Sequence, residues 1–225
     1  MERIKNVIFD FDGTLADTTA EIVSVTKATI LELGLPAKSH AECCAMIGVK
    51  MEDIGPEFWP GIAGLGQLFA DTYRRIAAER GQGYGASLFP GVRETLSLLR
   101  DRGIGLAVAS SRQNRSLTGY LEHLSILDFF CRVVGGDDVA RAKPAPDAVE
   151  SICRSVGWEA GECVMVGDAV VDLQMGKAAG ALTCAAAYGN QAREVLERER
   201  PTFVIESISE LESLIFSPRL PPRHS

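Results

Sequence analysis

A chain of 225 residues with 46% hydrophobic side chains can bury a sizeable core, and it is long enough for one large domain or for a core carrying a smaller insertion. Its formal net charge of −7, with Lys and Arg scattered along the sequence, argues against a nucleic-acid groove and for a small-molecule partner. Six cysteines form no CxxC pair, and no apolar run approaches a membrane span or a signal segment, so the expectation is a cytoplasmic chain with reduced thiols and no membrane partner.

The first apolar run, residues 4–9, reads as a buried strand that ends unusually, in Asp10-Phe11-Asp12-Gly13-Thr14. From about 18 to 89 the pattern turns helical, over 20–33, 41–47 and 65–80, with no convincing strand. This predicts an all-helical insertion, entered at Asp17-Thr18-Thr19 and left through Gly81, Gly83, Gly85 and Pro90-Gly91. Gly48 breaks the helical pattern inside it and marks a loop able to reach the core site, which makes it a candidate substrate contact, while Trp59 and Cys43-Cys44 read as packing residues.

Beyond the insertion, strands over 104–109, 132–134, 163–166, 182–187 and 202–205 alternate with helices over 92–102, 114–123, 146–156, 170–179 and 191–199. Strand then helix, repeated, predicts an α/β fold with a doubly wound parallel sheet, a Rossmann-like core over 1–17 and 90–216 and a helical cap over 18–89. The tail SPRLPPRHS, 217–225, has three prolines and no apolar period, and the expectation for it is disorder. No feature of the sequence sets an oligomeric state.

Ligands of such a sheet sit outside the carboxyl ends of its strands. Those positions hold Asp10 and Asp12, then Ser110 and Ser111, then Lys143 in Arg-Ala-Lys-Pro-Ala-Pro-Asp, then Asp168 with Asp172 four residues on. Carboxylates gathered at one point repel unless a hard cation relieves them, and Mg²⁺ suits a site of few carboxylates with a substrate phosphate. A lysine and a hydroxyl would complete the neutralisation of that phosphate. One carboxylate can attack phosphorus to give an aspartyl-phosphate, and a second can protonate the leaving oxygen and later deprotonate water. No GxxxxGK[ST] loop is present, and the histidines at 40, 123 and 224 lie at none of these strand ends.

In this order and spacing, the segments FDFDGTLADT, Ser110 of LAVASS, Lys143 of AKPAPD and VGDAVVDLQMGKAAG resemble the haloacid dehalogenase superfamily, in particular its phosphoglycolate phosphatase-like branch with a helical cap. The resemblance implies a Mg²⁺-dependent phosphatase acting on a small phosphorylated metabolite. Asp10 would be nucleophile and metal ligand; Asp12 would be general acid/base and lend its backbone carbonyl to the metal. Ser110 would bind the phosphoryl oxygen with Ser111 as an alternative donor, Lys143 would brace phosphate and nucleophile, and Asp168 would be a side-chain ligand with Asp172 in support. Ala169 departs from the Ser or Thr of many relatives.

Several readings stay open beside this one. Asp172 can be a first-turn residue favoured by the helix dipole, and Lys50 a solvated cap lysine rather than a contact to a substrate anion. Arg112 and Asn190, in loops after strands, can touch substrate or serve structure. Relatives that cleave carbon–halogen or carbon–phosphorus bonds replace the residue at Asp12, so ester or anhydride hydrolysis is favoured, and pyrophosphatase remains among the alternatives. Sugar phosphomutases of the branch carry His where this chain has Ile22. A phospho-receiver shares the acidic site but is shorter and lacks the insertion, and a regulatory protein would have a decayed site.

Overall fold

Residues 4–80 and 85–216 are described by a computed structural model of the chain. Strand β1 (Asn6–Phe9) leads through the short β2 (Ala16–Asp17) into four helices, α1 (Thr19–Glu32), α2 (His40–Ala45), α3 (Met51–Phe58) and α4 (Leu65–Glu79), and the chain returns through β3 (Ser87–Leu88). There follow α5 (Val92–Asp101), β4 (Gly105–Ala109), α6 (Asn114–His123), β5 (Arg132–Val134), α7 (Asp147–Val156), β6 (Cys163–Gly167), α8 (Val170–Ala178), β7 (Leu182–Ala186), α9 (Arg193–Arg198), β8 (Phe203–Ile205) and α10 (Glu210–Phe216).

Six strands form one parallel sheet in the order β5-β4-β1-β6-β7-β8. The connections run outward in opposite directions from β1, so the topological switch point lies at its carboxyl end, where such sheets bind ligands. Both faces are covered, and therefore the strands read as nearly continuous apolar runs. Alternation sorts their side chains. Val7 and Phe9 of β1, Leu106 and Val108 of β4 and Val164 and Val166 of β6 join one core with α5, α6 and α10. Ile8, Ala107, Ala109, Cys163 and Met165 join the other, with α7 and α8.

The inserted helices have a core of their own, in which Val23, Cys43, Met46, Trp59, Leu65 and Phe69 pack together. Trp59 stacks near Phe69 with ring centroids 5.8 Å apart, and its indole N–H donates to the Pro36 carbonyl at 3.1 Å. Where the chain enters and leaves the insertion, β2 and β3 pair antiparallel, Ala16 opposite Leu88 and Asp17 opposite Ser87.

The structure departs from the expected elements in three places. The β2–β3 ribbon puts a short strand at 87–88, inside the stretch expected to be purely helical. Helix α3 occupies part of what reads as a loop after Gly48; its Gly55 and Pro56 are poor helix formers, but a Cβ on Gly55 would meet the Leu65 backbone at 2.8 Å, so the glycine permits close packing of α3 on α4. Helix α10, absent from the sequence reading, buries Leu211 in the core with α5. Gly81 and Gly83 of the expected exit and the 217–225 tail lie outside the described residues.

Candidate active site

The chain turns sharply after β1. The Asp10 N–H continues the ladder to the Val166 carbonyl at 2.9 Å, and the N–H groups of Leu15 and Ala16 both return to the Phe11 carbonyl at 3.0 Å. Gly13 takes a φ of +87° in this turn, and a Cβ there would fall 2.1 Å from an oxygen of Asp168. Asp10 and Asp168, from adjacent strands, are thereby drawn to one rim.

Asp10, Asp168 and Asp172 are all buried, with a carboxylate oxygen of each within 4.8 Å of the others. Lys143, its side chain only 5% exposed, donates to Asp10 Oδ1 at 2.6 Å and Asp172 Oδ1 at 2.7 Å. Burial raises the Asp10 carboxyl well above the ordinary carboxylate range; Lys143 pulls it down, and Asp172, Asp168 and Asp12 add to the rise. Burial, with the Asp172 charge next, pushes Asp168 up to about 7. Burial lowers the pKa of Lys143, but the Asp10 and Asp172 carboxylates outweigh it and keep the ammonium charged.

A divalent hard cation fits this set. Three buried carboxylates against one ammonium leave two formal negative charges uncompensated, and every donor is an oxygen. Asp172, read from sequence as a supporting or merely helix-terminal residue, is a full member of the cluster. The Asp12 side chain is not, because it turns elsewhere.

Both oxygens of Asp12 face Arg112, with Nε to Oδ2 at 2.8 Å and Nη2 to Oδ1 at 2.7 Å, and Thr18 Oγ1 donates to Oδ1 at 2.6 Å. Arg112 lies over the rings of Tyr120 and Phe11, 4.3 and 5.8 Å from their centroids. The Tyr120 hydroxyl donates to Glu21 of α1, so the pair is braced from the inserted helices.

Ser110, just beyond β4, is buried, and its Oγ accepts the Arg112 N–H at 3.2 Å. Ser111 points the other way: its Oγ donates to the Gly48 carbonyl at 3.0 Å, across to the inserted helices. Lys50 is the N-cap of α3 and, with Gly48, lines a cavity of about 810 Å³ that also reaches Asp10, Asp12, Ser110 and Lys143. Asn190 is not among the lining residues. Its N–H donates to Asp168 Oδ2 at 2.7 Å and its side-chain oxygen accepts from Thr19 at 2.9 Å, which favours the structural reading.

Sequence reasoning passed over Thr14, whose hydroxyl donates to Asp168 Oδ1 at 3.1 Å, and Thr18. Their place in the turn after the two aspartates was the available signal. It also passed over Gln191, whose Oε1 accepts the Val170 N–H at 2.9 Å and so caps α8 where Ala169 has no hydroxyl to offer.

The Haloacid dehalogenase-like hydrolase family model matches residues 7–186, and the chain belongs to that family. Within it the chain is a phosphatase of the phosphoglycolate phosphatase-like branch. It is 29% identical over 220 residues to the phosphoglycolate phosphatase of Pectobacterium atrosepticum, covering 96% of this chain and 94% of that one. It is 30% identical over 215 residues to the phosphoglycolate phosphatase of Pseudomonas syringae pv. tomato, covering 92% and 78%. Crystal structures of a predicted phosphatase from Clostridium acetobutylicum (TM-score 0.87, 22% identity, 95% of this chain and 99% of that one) and a hydrolase from Pseudomonas syringae (0.82, 24%, 93% and 97%) share the fold.

Proposed function

We propose that this phosphatase hydrolyses a small phosphomonoester, phosphoglycolate or a compound like it, through an aspartyl-phosphate on Asp10 and with Mg²⁺ bound. The observation that carries the reading is the buried Asp10–Lys143–Asp172 set beside Asp168 at the carboxyl end of the central strand. The two relatives, both phosphoglycolate phosphatases, support the substrate class.

An oxygen of Asp10 attacks phosphorus while the bond from phosphorus to the leaving oxygen breaks, and Asp12, which takes up a proton from solvent once substrate has bound and its hold on Arg112 has loosened, delivers that proton to the leaving oxygen. Asp12 then takes a proton from water, whose oxygen attacks the phosphorus of the aspartyl-phosphate; phosphate leaves and the Asp10 carboxylate is restored. Lys143 keeps the nucleophile oriented and offers positive charge to the transferring group, and Ser110 offers its hydroxyl to a phosphoryl oxygen. Mg²⁺ would be held by Asp10 and Asp168, with the Asp12 backbone carbonyl and Asp172 in support, and supplies neutralisation of phosphoryl charge.

In this reading residues 1–17 and 90–216 carry the chemistry, and 18–89 form a cap that selects the leaving group and excludes water. The reading extends to a reducing, cytoplasmic setting. Six free cysteines support it, and among the described residues no helix is long and apolar enough to cross a membrane.

The test is turnover of a panel of phosphorylated metabolites with Mg²⁺ and after EDTA, together with rapid quench for acid-stable phosphoprotein. Hydrolysis that persists without divalent cation, or turnover with no phosphoenzyme formed on Asp10, would refute the mechanism.

A further inference from the structure

We propose that Arg112 is a positioning residue that exchanges partners with the substrate: its guanidinium holds the Asp12 carboxylate at rest and passes to a second anionic group on the leaving portion of the substrate. The substrates favoured are then short phosphomonoesters that carry a carboxylate or a second phosphate. This rests on the phosphatase reading above.

The geometry of the pair is the first ground. Arg112 occupies both oxygens of Asp12, and Thr18 adds a third bond on Oδ1. A carboxylate held in this fork is fixed in direction, so it turns toward a leaving oxygen only when the fork opens on at least one side.

The second ground is where the guanidinium sits. Arg112 is on the cavity wall, its side chain 16% exposed, and Asp12 is its ion-pair partner. Removing that partner leaves a buried cation uncompensated, which is strongly unfavourable, whereas replacing one oxyanion by another preserves both charge and fork. A neutral leaving group offers no such replacement. The rings of Tyr120 and Phe11 hold the guanidinium whichever anion it faces.

The third ground is distance along the chain. The Arg112 N–H is tied to Ser110 Oγ at 3.2 Å, so the arginine is anchored beside the serine assigned to the phosphoryl group. The two anions it relates must belong to one short molecule. After the exchange Thr18 still holds Asp12 by one bond, which leaves it able to pivot without being lost into solvent.

The experiment compares 2-phosphoglycolate with ethyl phosphate, which has the same two carbons but no carboxylate, and with p-nitrophenyl phosphate, all with Mg²⁺. The wild type is expected to favour 2-phosphoglycolate over ethyl phosphate by roughly tenfold or more in kcat/KM. Arg112→Met is expected to bring that ratio close to one, with kcat as well as KM affected on the carboxylate substrate. Arg112→Lys, which keeps the charge and loses the fork, should restore part of the ratio.

Equal factors of loss on all three substrates in Arg112→Met would mean that Arg112 only supports the fold, and would overturn the proposal. Should Arg112→Met not fold, Arg112→Lys decides: an unchanged ratio and unchanged kcat values overturn it, and an intermediate ratio supports it. A wild type active on all three substrates but without preference overturns the exchange and leaves the phosphatase reading standing. A wild type inert on all three overturns that reading and this proposal together.

Discussion

Ser111 and Gly48 are joined by a hydrogen bond of 3.0 Å from the serine hydroxyl to the glycine carbonyl, which ties the loop after β4 to the inserted helices. Two adjacent serines thus face different tasks, and their loss should be felt differently. Ser111→Ala removes one neutral hydrogen bond, a net effect of about 0.5–1.5 kcal/mol, so kcat/KM should fall by roughly two- to tenfold. Ser110→Ala, if its hydroxyl meets the transferring phosphoryl oxygen, should cost about 10²–10³ in kcat. Steady-state kinetics of the two variants separates the roles, and a larger loss for Ser111→Ala would reverse them.

Asp10→Asn should abolish turnover and the phosphoenzyme together, since an amide is a very poor nucleophile. Asp12→Asn should still form some phosphoenzyme and lose about 10²–10⁴ in rate on an alkyl phosphate, less on an aryl phosphate whose leaving group needs little protonation. Rapid quench on both substrates checks this. Phosphoenzyme in Asp10→Asn would show that the nucleophile lies elsewhere.

If the buried carboxylate cluster is a Mg²⁺ site, the cation should stabilise the fold, because the unfolded chain lacks that cluster. At a concentration about 100 times its dissociation constant the gain is about 2.7 kcal/mol, seen as a rise in Tm. Asp168→Asn should need more Mg²⁺ for the same rise. Calorimetric scans across a Mg²⁺ series test both, and a Tm indifferent to the cation would count against a site here.

Lys143→Met strands Asp10 and Asp172 without the ammonium they share at 2.6 and 2.7 Å. Breaking a buried ion pair by removing one partner costs about 3–5 kcal/mol, so the denaturation midpoint in EDTA should drop sharply and recover in part with Mg²⁺. A midpoint unchanged in EDTA would mean that the ammonium contributes nothing to holding the carboxylates together.

Gly13→Ala combines a positive φ with a Cβ 2.1 Å from both Asp168 Oδ2 and Asn190 Nδ2. The backbone term alone is about 1–2 kcal/mol, and the clash adds to it by displacing Asp168. Both Tm and Mg²⁺ affinity should fall. A variant with wild-type values of each would show that the turn relaxes freely.

The parallel sheet was legible because its strands are buried on both faces and so appear as short apolar runs, three of which, β1, β4 and β6, end directly on Asp10, Ser110 and Asp168. That same feature made Asp10, Asp12, Ser110 and Asp168 legible, whereas Lys143, in the loop between β5 and α7, was legible only through its place in the ordered set of segments. Helix α3 was hidden by Gly55 and Pro56, whose local preference opposes a helix that packing against α4 sustains. The β2–β3 ribbon is two residues a side, too short for any periodicity to register. The Arg112–Asp12 fork joins positions 100 residues apart, and nothing local to either announces the other.

Strand β1 carries Asp10 and stands between β4 and β6, with residue 6 contacting residue 163 across a separation of 157 positions. Of the strands in this sheet it stands earliest along the chain, and of the interior strands it waits the longest for its second neighbour. The inserted helices contain their own apolar cluster, which is complete in the nascent chain once residue 73 has emerged, long before β6 exists. Until then a strand of wholly buried residues has one edge with no partner, and it is exposed to pairing with other chains. The placement that sets Asp10 at the switch point of the sheet therefore also leaves β1 waiting for β6, and truncations ending before residue 163 should aggregate rather than yield a smaller folded protein.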